Sequence, residues 1–312
     1  MAKLPRNPRH PIDAPIFGRV TAGHGRHYFV TTESGEVYEA HRRGKKGDVA
    51  VGDLVHCTEP HSGVVAIESI DPRTSLLYRS DEWRIKTLAA NVDQVAIVFA
   101  SRPTFNPWFL WKALLAAHQA GINALVIRNK KDLAEEAEAA EAAAALLADI
   151  GHDVVHVSAT AEPEATHDLL LSRFAGRKTL LVGQSGMGKS TILNLLVPYA
   201  EAATREFSEA LNLGRQTTTA ARWYDLRPCG AEGAIVDTPG FQEFGLAHLS
   251  LNDILRAMPD IASHVDGCRF FNCRHLQEPG CSVKRAVEEG KIDPSRYEFY
   301  AAIAAHADTL PL

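Results

Sequence analysis

Nine consecutive residues, Gly183-Gln184-Ser185-Gly186-Met187-Gly188-Lys189-Ser190-Thr191, follow the apolar segment TLLVGQ and lead into STILNLL. Their G-x-x-x-x-G-K-[ST] spacing, set between a strand and a helix, is that of a phosphate-binding loop. The glycines let backbone N–H groups curl around phosphate oxygens at a helix N-terminus, Lys189 reaches the outer phosphates, and the Ser190 hydroxyl takes a place on Mg2+. About fifty residues later, Asp237-Thr238-Pro239-Gly240 closes the segment GAIVDT. Asp237 then sits at the carboxyl end of a strand, where it can hold Mg2+ through water while the Gly240 N–H meets a γ-phosphate. Between the two motifs lies the polar loop Gly214-Arg215-Gln216-Thr217-Thr218-Thr219. Thr218 is the expected hydroxyl ligand of Mg2+ there, with its neighbouring threonines as alternatives.

A third constellation reads a base. Asn129-Lys130-Lys131-Asp132 ends the segment ALVIRNK, and N-K-x-D is a guanine-reading pattern. Asp132 can accept from guanine N1–H and N2–H2, Asn129 can serve the N7/O6 edge, and the stem of Lys130 can cover the base plane. Adenine offers Asp132 no matching donors, and an unpaired buried carboxylate gives sites of this kind selectivities up to ~10⁴ to 10⁵. Ser158-Ala159, at the end of the next strand-like segment DVVHVSA, is placed to back the base, with the Ala159 N–H directed to O6. The base-reading loops therefore precede the phosphate loop, the reverse of the ordinary order. The site closes only if the early strands lie beside the later ones in one sheet, a circular permutation that is tolerable because chain ends of a domain are commonly close.

Cys268-x4-Cys273-x-His275-x5-Cys281 offers three thiolates and an imidazole in an irregular stretch containing Gly and Asn, a closed tetrahedral set for structural Zn2+. Cys57 and Cys229 read as ordinary segment residues. Five cysteines, three of them crowded, do not suit a disulfide framework and point to a reduced compartment.

The elements that must position these groups divide in three. From Phe17 to Ile70, five short β-rich runs (FGRVTAG, RHYFVTT, EVYEAHR, DLVHCTE, GVVAIESI) are broken by turns and predict a small barrel of OB type, with an SH3-like barrel as the alternative. After a polar stretch around Arg79 to Lys86, buried-type strands at 94–100, 124–130, 153–159, 179–184 and 233–238 alternate with helices, the texture of an α/β sheet. Leu133 to Asp149, rich in Ala and Glu, predicts a helix whose Glu135, Glu136, Glu138 and Glu141 form a solvated face. Beyond Gly245 come helical stretches, the Cys/His cluster and a last helix-like segment from Pro294 to Ala307. The expected boundaries are a basic tail at 1–15, the barrel at 16–78, the α/β domain at 84–245 and a zinc-binding helical domain at 246–312.

Of 312 residues, 46% are hydrophobic and 23% charged, and no apolar run approaches the ~18 residues of a membrane-spanning helix. The N-terminus carries Lys3, Arg6, Arg9 and four prolines with no apolar segment of a secretory signal behind them, so a cytosolic protein is expected. Net charge is -5, yet residues 1 to 50 hold nine Lys/Arg against five acids. Arg42, Arg43, Lys45 and Lys46 are candidate contacts to nucleic-acid phosphates, which would weaken steeply with salt. A monomer is the default expectation.

With permuted motifs, a five-strand barrel and the Cys-x4-Cys-x-His-x5-Cys segment, the chain resembles the RsgA family of small-ribosomal-subunit-dependent GTPases over nearly its whole length. The resemblance implies an enzyme that binds the small subunit late in assembly, sets barrel and zinc domain on rRNA, and hydrolyses GTP to GDP when bound. Two positions depart from familiar hydrolytic sites. Phe241 stands where Ras-like proteins place a water-orienting glutamine, and Gln216 stands where the family more often has His. Gln216 can orient water but cannot act as a general base at neutral pH. Slow intrinsic turnover with large partner stimulation is therefore expected. Two other readings compete: an RNA-binding assembly factor that uses GTP as a binding switch with negligible hydrolysis, and a P-loop ATPase or kinase with a zinc insert. The second leaves Asn129 to Asp132 and Ser158-Ala159 unexplained.

Overall fold

A computed structural model describes the protein except for residues 1–14, 25–26, 43–48, 59–62, 81–84, 134–136, 201–220, 239–243, 247 and 308–312. The expectations for Arg43, Lys45, Lys46, Glu135, Glu136, Gln216, Thr218, Gly240 and Phe241 lie outside the described residues.

The N-terminal strands are β1 (Ile16–His24), β2 (His27–Thr31), β3 (Val37–Arg42), β4 (Leu54–Cys57) and β5 (Val64–Ile70). They pair in the order β1-β2-β3-β5-β4, and β4 returns to β1, so the barrel is closed. β3 and β5 run parallel while the other pairs are antiparallel. That order and closure are those of the OB-type barrel, and the SH3-like alternative falls. Its interior is filled by alternate residues such as Val20, Val30, Ala40, Val55 and Val65, all essentially without exposure.

The hairpin β6 (Leu76–Ser80) and β7 (Ile85–Ala90) then forms a separate two-stranded sheet where the sequence reads as a polar stretch. Leu77 and Leu88 are buried against the rest of the protein, so the polar residues belong to one face and not to a linker. The expected boundary at 78 consequently cuts through β6.

The α/β body contains β8 (Gln94–Ala100), β9 (Asn123–Asn129), β10 (Asp153–His156), β11 (Arg177–Gly183), β12 (Arg222–Asp225) and β13 (Gly233–Asp237). Helices α1 (Pro107–Gln119), α2 (Glu138–Asp149), α3 (Pro163–Phe174) and α4 (Lys189–Leu196) connect them. Strand order is β10-β9-β8-β11-β13, all parallel, with β12 antiparallel on the far side of β13. The pairing of β8 with β11, from Gln94 opposite Thr179 to Val98 opposite Gly183, brings the early strands beside the later ones as the permutation requires. β8 is buried along all seven residues, which explains its apolar run from Val95 to Ala100; Gln94 at its start accepts from Thr179 at 2.8 Å.

β12, unrecognised in the sequence, also touches β1 at Ala22 opposite Arg222, so barrel and α/β body share one continuous sheet of eleven strands. The junction is polar and tightly bonded. Fully buried Asp53 accepts from the Ala50 N–H at 2.8 Å and from Arg73 at 2.7 and 2.8 Å, and Arg19 lies over the Trp223 ring at 4.4 Å. Among the described residues, no helix is long and apolar enough to cross a membrane.

The C-terminal part carries the short helices Leu251–Arg256, Pro259–Ala262 and Ser282–Glu288 and the terminal helix Pro294–Ala304. Arg296, buried, pairs with Asp260 at 2.9 Å and lies over Trp111 of α1 at 4.5 Å, while Phe299 meets Trp108 edge-on at 5.8 Å. The terminal helix is thereby fastened to α1.

Candidate functional site

β9, β11 and β13 end at one edge of the sheet, and the chain leaving β10 arrives there at Ser158. An open parallel sheet binds ligands in the crevice outside its carboxyl ends. The structure brings Asn129, Asp132, Ser158, Ala159, the loop Gly183–Thr191 and Asp237 to that edge.

The phosphate loop and the base-reading loop are braced against each other. Asn129, buried, donates from Nδ2 to the Met187 carbonyl at 3.0 Å and accepts the Ala159 N–H on Oδ1 at 3.1 Å. The expectation that the Ala159 N–H points to guanine O6 is thus qualified, because this donor is engaged by Asn129. The Asn129 amide nitrogen has a second N–H beyond the one donated to Met187. Lys130, in a left-handed conformation, donates from Nζ to the carbonyls of Arg102 at 2.7 Å and Gly186 at 2.8 Å, which holds its stem across the mouth of the loop. Ser158 Oγ donates to Asp132 Oδ1, orienting the carboxylate. Lys131 pairs outward with Glu162 at 2.6 Å.

The contact between the loops explains one glycine. Gly188 has φ of 97°, and a Cβ there would collide with the Asn129 amide nitrogen. We expect Gly188→Ala to push the base-reading loop off the phosphate loop and weaken guanine-nucleotide affinity about 10²-fold, the order of loss that a displacement near 1 Å can cause. Titration with a fluorescent nucleotide checks this; affinity within threefold of wild type refutes the brace.

Lys189 opens α4 and aims its ammonium into the loop, donating to the carbonyls of Gly183 at 2.5 Å and Gln184 at 3.0 Å. Burial pushes its pKa below the ordinary lysine value, with Asp237 pulling it back. Burial likewise pushes Asp237 up, against Lys189, the Thr238 N–H and Arg222. Each charge is only partly compensated by the other, and a polyphosphate with a divalent cation between them would favour both charged forms. Ser185, Ser190 and Thr191 are exposed, Ser190 in the first turn of α4, whereas the Met187 side chain is buried and contributes its carbonyl.

Two supporting residues, Asn106 and Arg128, escaped the sequence reading. The side chain of Gln184 accepts the Asn106 N–H at 2.7 Å, tying the phosphate loop to the start of α1, where Asn106 also caps the helix by accepting the Trp108 N–H. Arg128, fully buried one residue before Asn129, pairs with Glu141 of α2 at 3.0 Å. Glu141 is therefore a partner for a buried cation and not merely part of a solvated face. A signal existed: an arginine inside the otherwise apolar run ALVIRN demands a counter-charge.

The cysteine cluster is assembled elsewhere, beside the terminal helix. Ligand atoms of Cys268, Cys273, His275 and Cys281 all lie within 4.8 Å of one another. Cys268 Sγ is 3.9 Å from Cys281 Sγ, and His275 Nδ1 is 3.4 Å from Cys268 Sγ and 3.5 Å from Cys281 Sγ. Zn–S near 2.3 Å and Zn–N near 2.0 Å put tetrahedral edges at about 3.8 Å and 3.5 Å, so these residues fit a four-coordinate ion. Burial pushes the Cys273 thiol up to about 12, a cost that a bound cation would reverse.

His275 is held in a left-handed conformation by its neighbours. Tyr297 Oη donates to the His275 carbonyl at 2.8 Å and Tyr300 Oη to the Arg274 carbonyl at 2.9 Å. Glu278 accepts the N–H groups of Arg274, Leu276 and Gln277 at 2.9, 2.9 and 3.1 Å. Burial pushes Glu278 up, but these donations outweigh it and hold its carboxyl down at about 2. A carboxylate depressed by folding contributes stability that is whole above its unfolded value and disappears as pH falls toward the folded one. Glu278→Gln should therefore lower Tm at pH 7, release metal to a chelator about tenfold faster, and approach wild-type Tm as pH drops below about 4.5. A Tm gap constant with pH would refute the clasp.

Comparison with known proteins follows the same lines. Residues 70–247 match the family model described as RsgA GTPase. The protein called small ribosomal subunit biogenesis GTPase RsgA from Ralstonia pickettii (strain 12J) is 47% identical over 289 residues, covering 92% of this chain and 91% of the relative. That of Bordetella pertussis (strain Tohama I / ATCC BAA-589 / NCTC 13251) is 48% identical over 286 residues, covering 92% and 94%. Among solved structures, YjeQ from Thermotoga maritima superposes with a TM-score of 0.67 at 27% identity, covering 96% of this chain and all of that one. YloQ, described as a circularly permuted GTPase, gives 0.65 at 26% identity, covering 98% and 100%.

Proposed function

The chain belongs to the RsgA GTPase family, and from that premise we propose that its sheet-edge crevice binds GTP with Mg2+ and hydrolyses it when the protein sits on the small ribosomal subunit. The observation that carries the reading is the Asn129 brace, which sets the base-reading loop at a fixed distance from the phosphate loop. In this reading Asp132 and Asn129 take the guanine edge, the Gly183–Thr191 loop cradles the phosphates, and Lys189 neutralises their outer charge. Ser190, Asp237 and Thr218 would hold Mg2+, which would neutralise charge on the phosphates during transfer.

We further propose Zn2+ at Cys268, Cys273, His275 and Cys281 as a structural ion, a reading supported by three thiolates and an imidazole that leave no open position. Phe271, wholly exposed beside Arg269 and Phe270, supports an RNA-facing role for this domain, because an aromatic face next to a guanidinium is what an unstacked base seeks. The barrel supplies a second platform through the basic stretch that begins at Arg42.

The test is GTP hydrolysis by the full chain with small ribosomal subunits, with large subunits as control. We expect stimulation of about 10³-fold by small subunits alone, within the range that completing a GTPase site in trans provides. Gln216→Ala should lose most of it. Tight GTP binding with no stimulation would favour the binding-switch reading, whose support is Phe241 at the position of a water-orienting glutamine.

A further inference from the structure

The barrel carries a second cluster of metal-type ligands. His27 and His41 face each other as a register pair across β2 and β3, and Glu39 lies two residues from His41 on the same strand, hence on the same face. That is the outer face, since Ala40 between them is buried. His27 Nδ1 lies 3.2 Å and His41 Nε2 3.4 Å from the same oxygen, Glu39 Oε1. The two rings stand edge-on at 4.7 Å, and the three ligand atoms all fall within 4.8 Å.

We propose that His27, Glu39 and His41 form a second divalent-metal site, selective for a borderline ion such as Zn2+ and distinct from the Cys268–Cys281 cluster. Both N···O separations match the edge of a tetrahedron around an ion with N and O ligands near 2.0 to 2.1 Å, about 3.3 Å. Two imidazoles and a carboxylate suit Zn2+, Cu2+ or Ni2+ over Mg2+ or Ca2+, which demand all-oxygen shells. The ordinary alternative is a pair of ion-paired histidines. It needs only a ring N–H donated to the carboxylate oxygen, and exposed contacts of this kind contribute little to stability, so they give no reason for three ligand-type side chains to converge on one point. A divalent ion would take a lone pair from each neutral ring and an oxygen of Glu39, using all three convergent groups at once. The register of the hairpin fixes two of the ligands, so little order has to be created on binding. With three protein ligands on an outer face, one or more positions remain for water or for an oxygen donor from a partner surface.

Zn2+ titration of the full chain, followed by metal analysis after gel filtration, tests this. Wild type should retain a second equivalent beyond the one at the cysteine cluster. His27→Ala and His41→Ala should each weaken that second equivalent by about 100-fold or more while keeping the first. His56→Ala, which breaks the isolated His56–Asp71 pair on the same barrel, should keep both. With Co2+, the second equivalent should add visible d–d bands without sulfur charge transfer, which only the cysteine cluster can give. Retention of the first equivalent shows that the variants are folded. A wild type that takes only one equivalent, or a second equivalent that survives in His27→Ala, overturns the proposal.

Discussion

Replacing Asp132 by Asn should cost at least about 10³-fold in affinity for guanine nucleotides and transfer preference to a xanthine nucleotide. The carboxylate accepts two hydrogen bonds from guanine in the proposed site, and Ser158 fixes it by donating to Oδ1. An amide at the same place presents one oxygen and one NH2, so one guanine donor meets a donor. Asp132 is exposed in the structure, and a base covering it would bury the mismatch; mismatches of this type in a closed site produce selectivities up to ~10⁴ to 10⁵. Xanthine carries an oxygen where guanine has its N2 amine and restores the complement. Competition of GTP, XTP and ATP against a fluorescent nucleotide measures all three affinities. If the variant keeps GTP affinity within tenfold, Asp132 does not read the base, and if ATP gains instead of XTP, the orientation of the base is wrong.

Removing the ion from the cysteine cluster should open the segment between about residues 264 and 281 while leaving the α/β body able to bind nucleotide. That segment has only one short helical turn, Val265–Gly267, so its order comes from the ligands, the Glu278 clasp and the two tyrosines. In finger peptides structural zinc supplies roughly 10 to 16 kcal/mol, far more than those hydrogen bonds at about 1 kcal/mol each. Cys273→Ser should lose the cluster's equivalent of metal and become open to proteolysis in this stretch. Nucleotide affinity should change by less than about threefold, because Arg296 and Phe299 hold the terminal helix to α1 independently of the ion. Stimulation by small subunits should vanish, because the opened segment no longer presents Phe271. A metal-free protein with wild-type protease resistance would show that packing, not the ion, orders the segment.

The chemistry was readable because it depends on residue type at fixed spacing. A phosphate loop needs glycines where the backbone turns toward phosphate, and Gly188 with its left-handed φ is such a position. Base reading needs Asn and Asp three apart at a strand end, and a metal cluster needs soft ligands close in sequence. The five barrel strands were equally visible, since each turn is marked by glycine. What escaped was structure whose pattern is split between environments. The β6–β7 hairpin shows a polar face while Leu77, Leu88, Ala89 and Ala90 are buried, and β12 is four residues of RWYD that gain strand character from their neighbours on both sides.

The sequence by itself therefore determined the permuted motif order, the barrel, the α/β texture and the ligand set of the cysteine cluster, all of them local or periodic properties. Only the tertiary structure decided that β8 lies against β11, that Asn129 braces Met187 and Ala159, that Arg128 needs Glu141, and that His27, Glu39 and His41 meet. Strand order, register and helix placement choose these partners, and although Arg128 announced that it needed a counter-charge, no local pattern of residue types says which group supplies it.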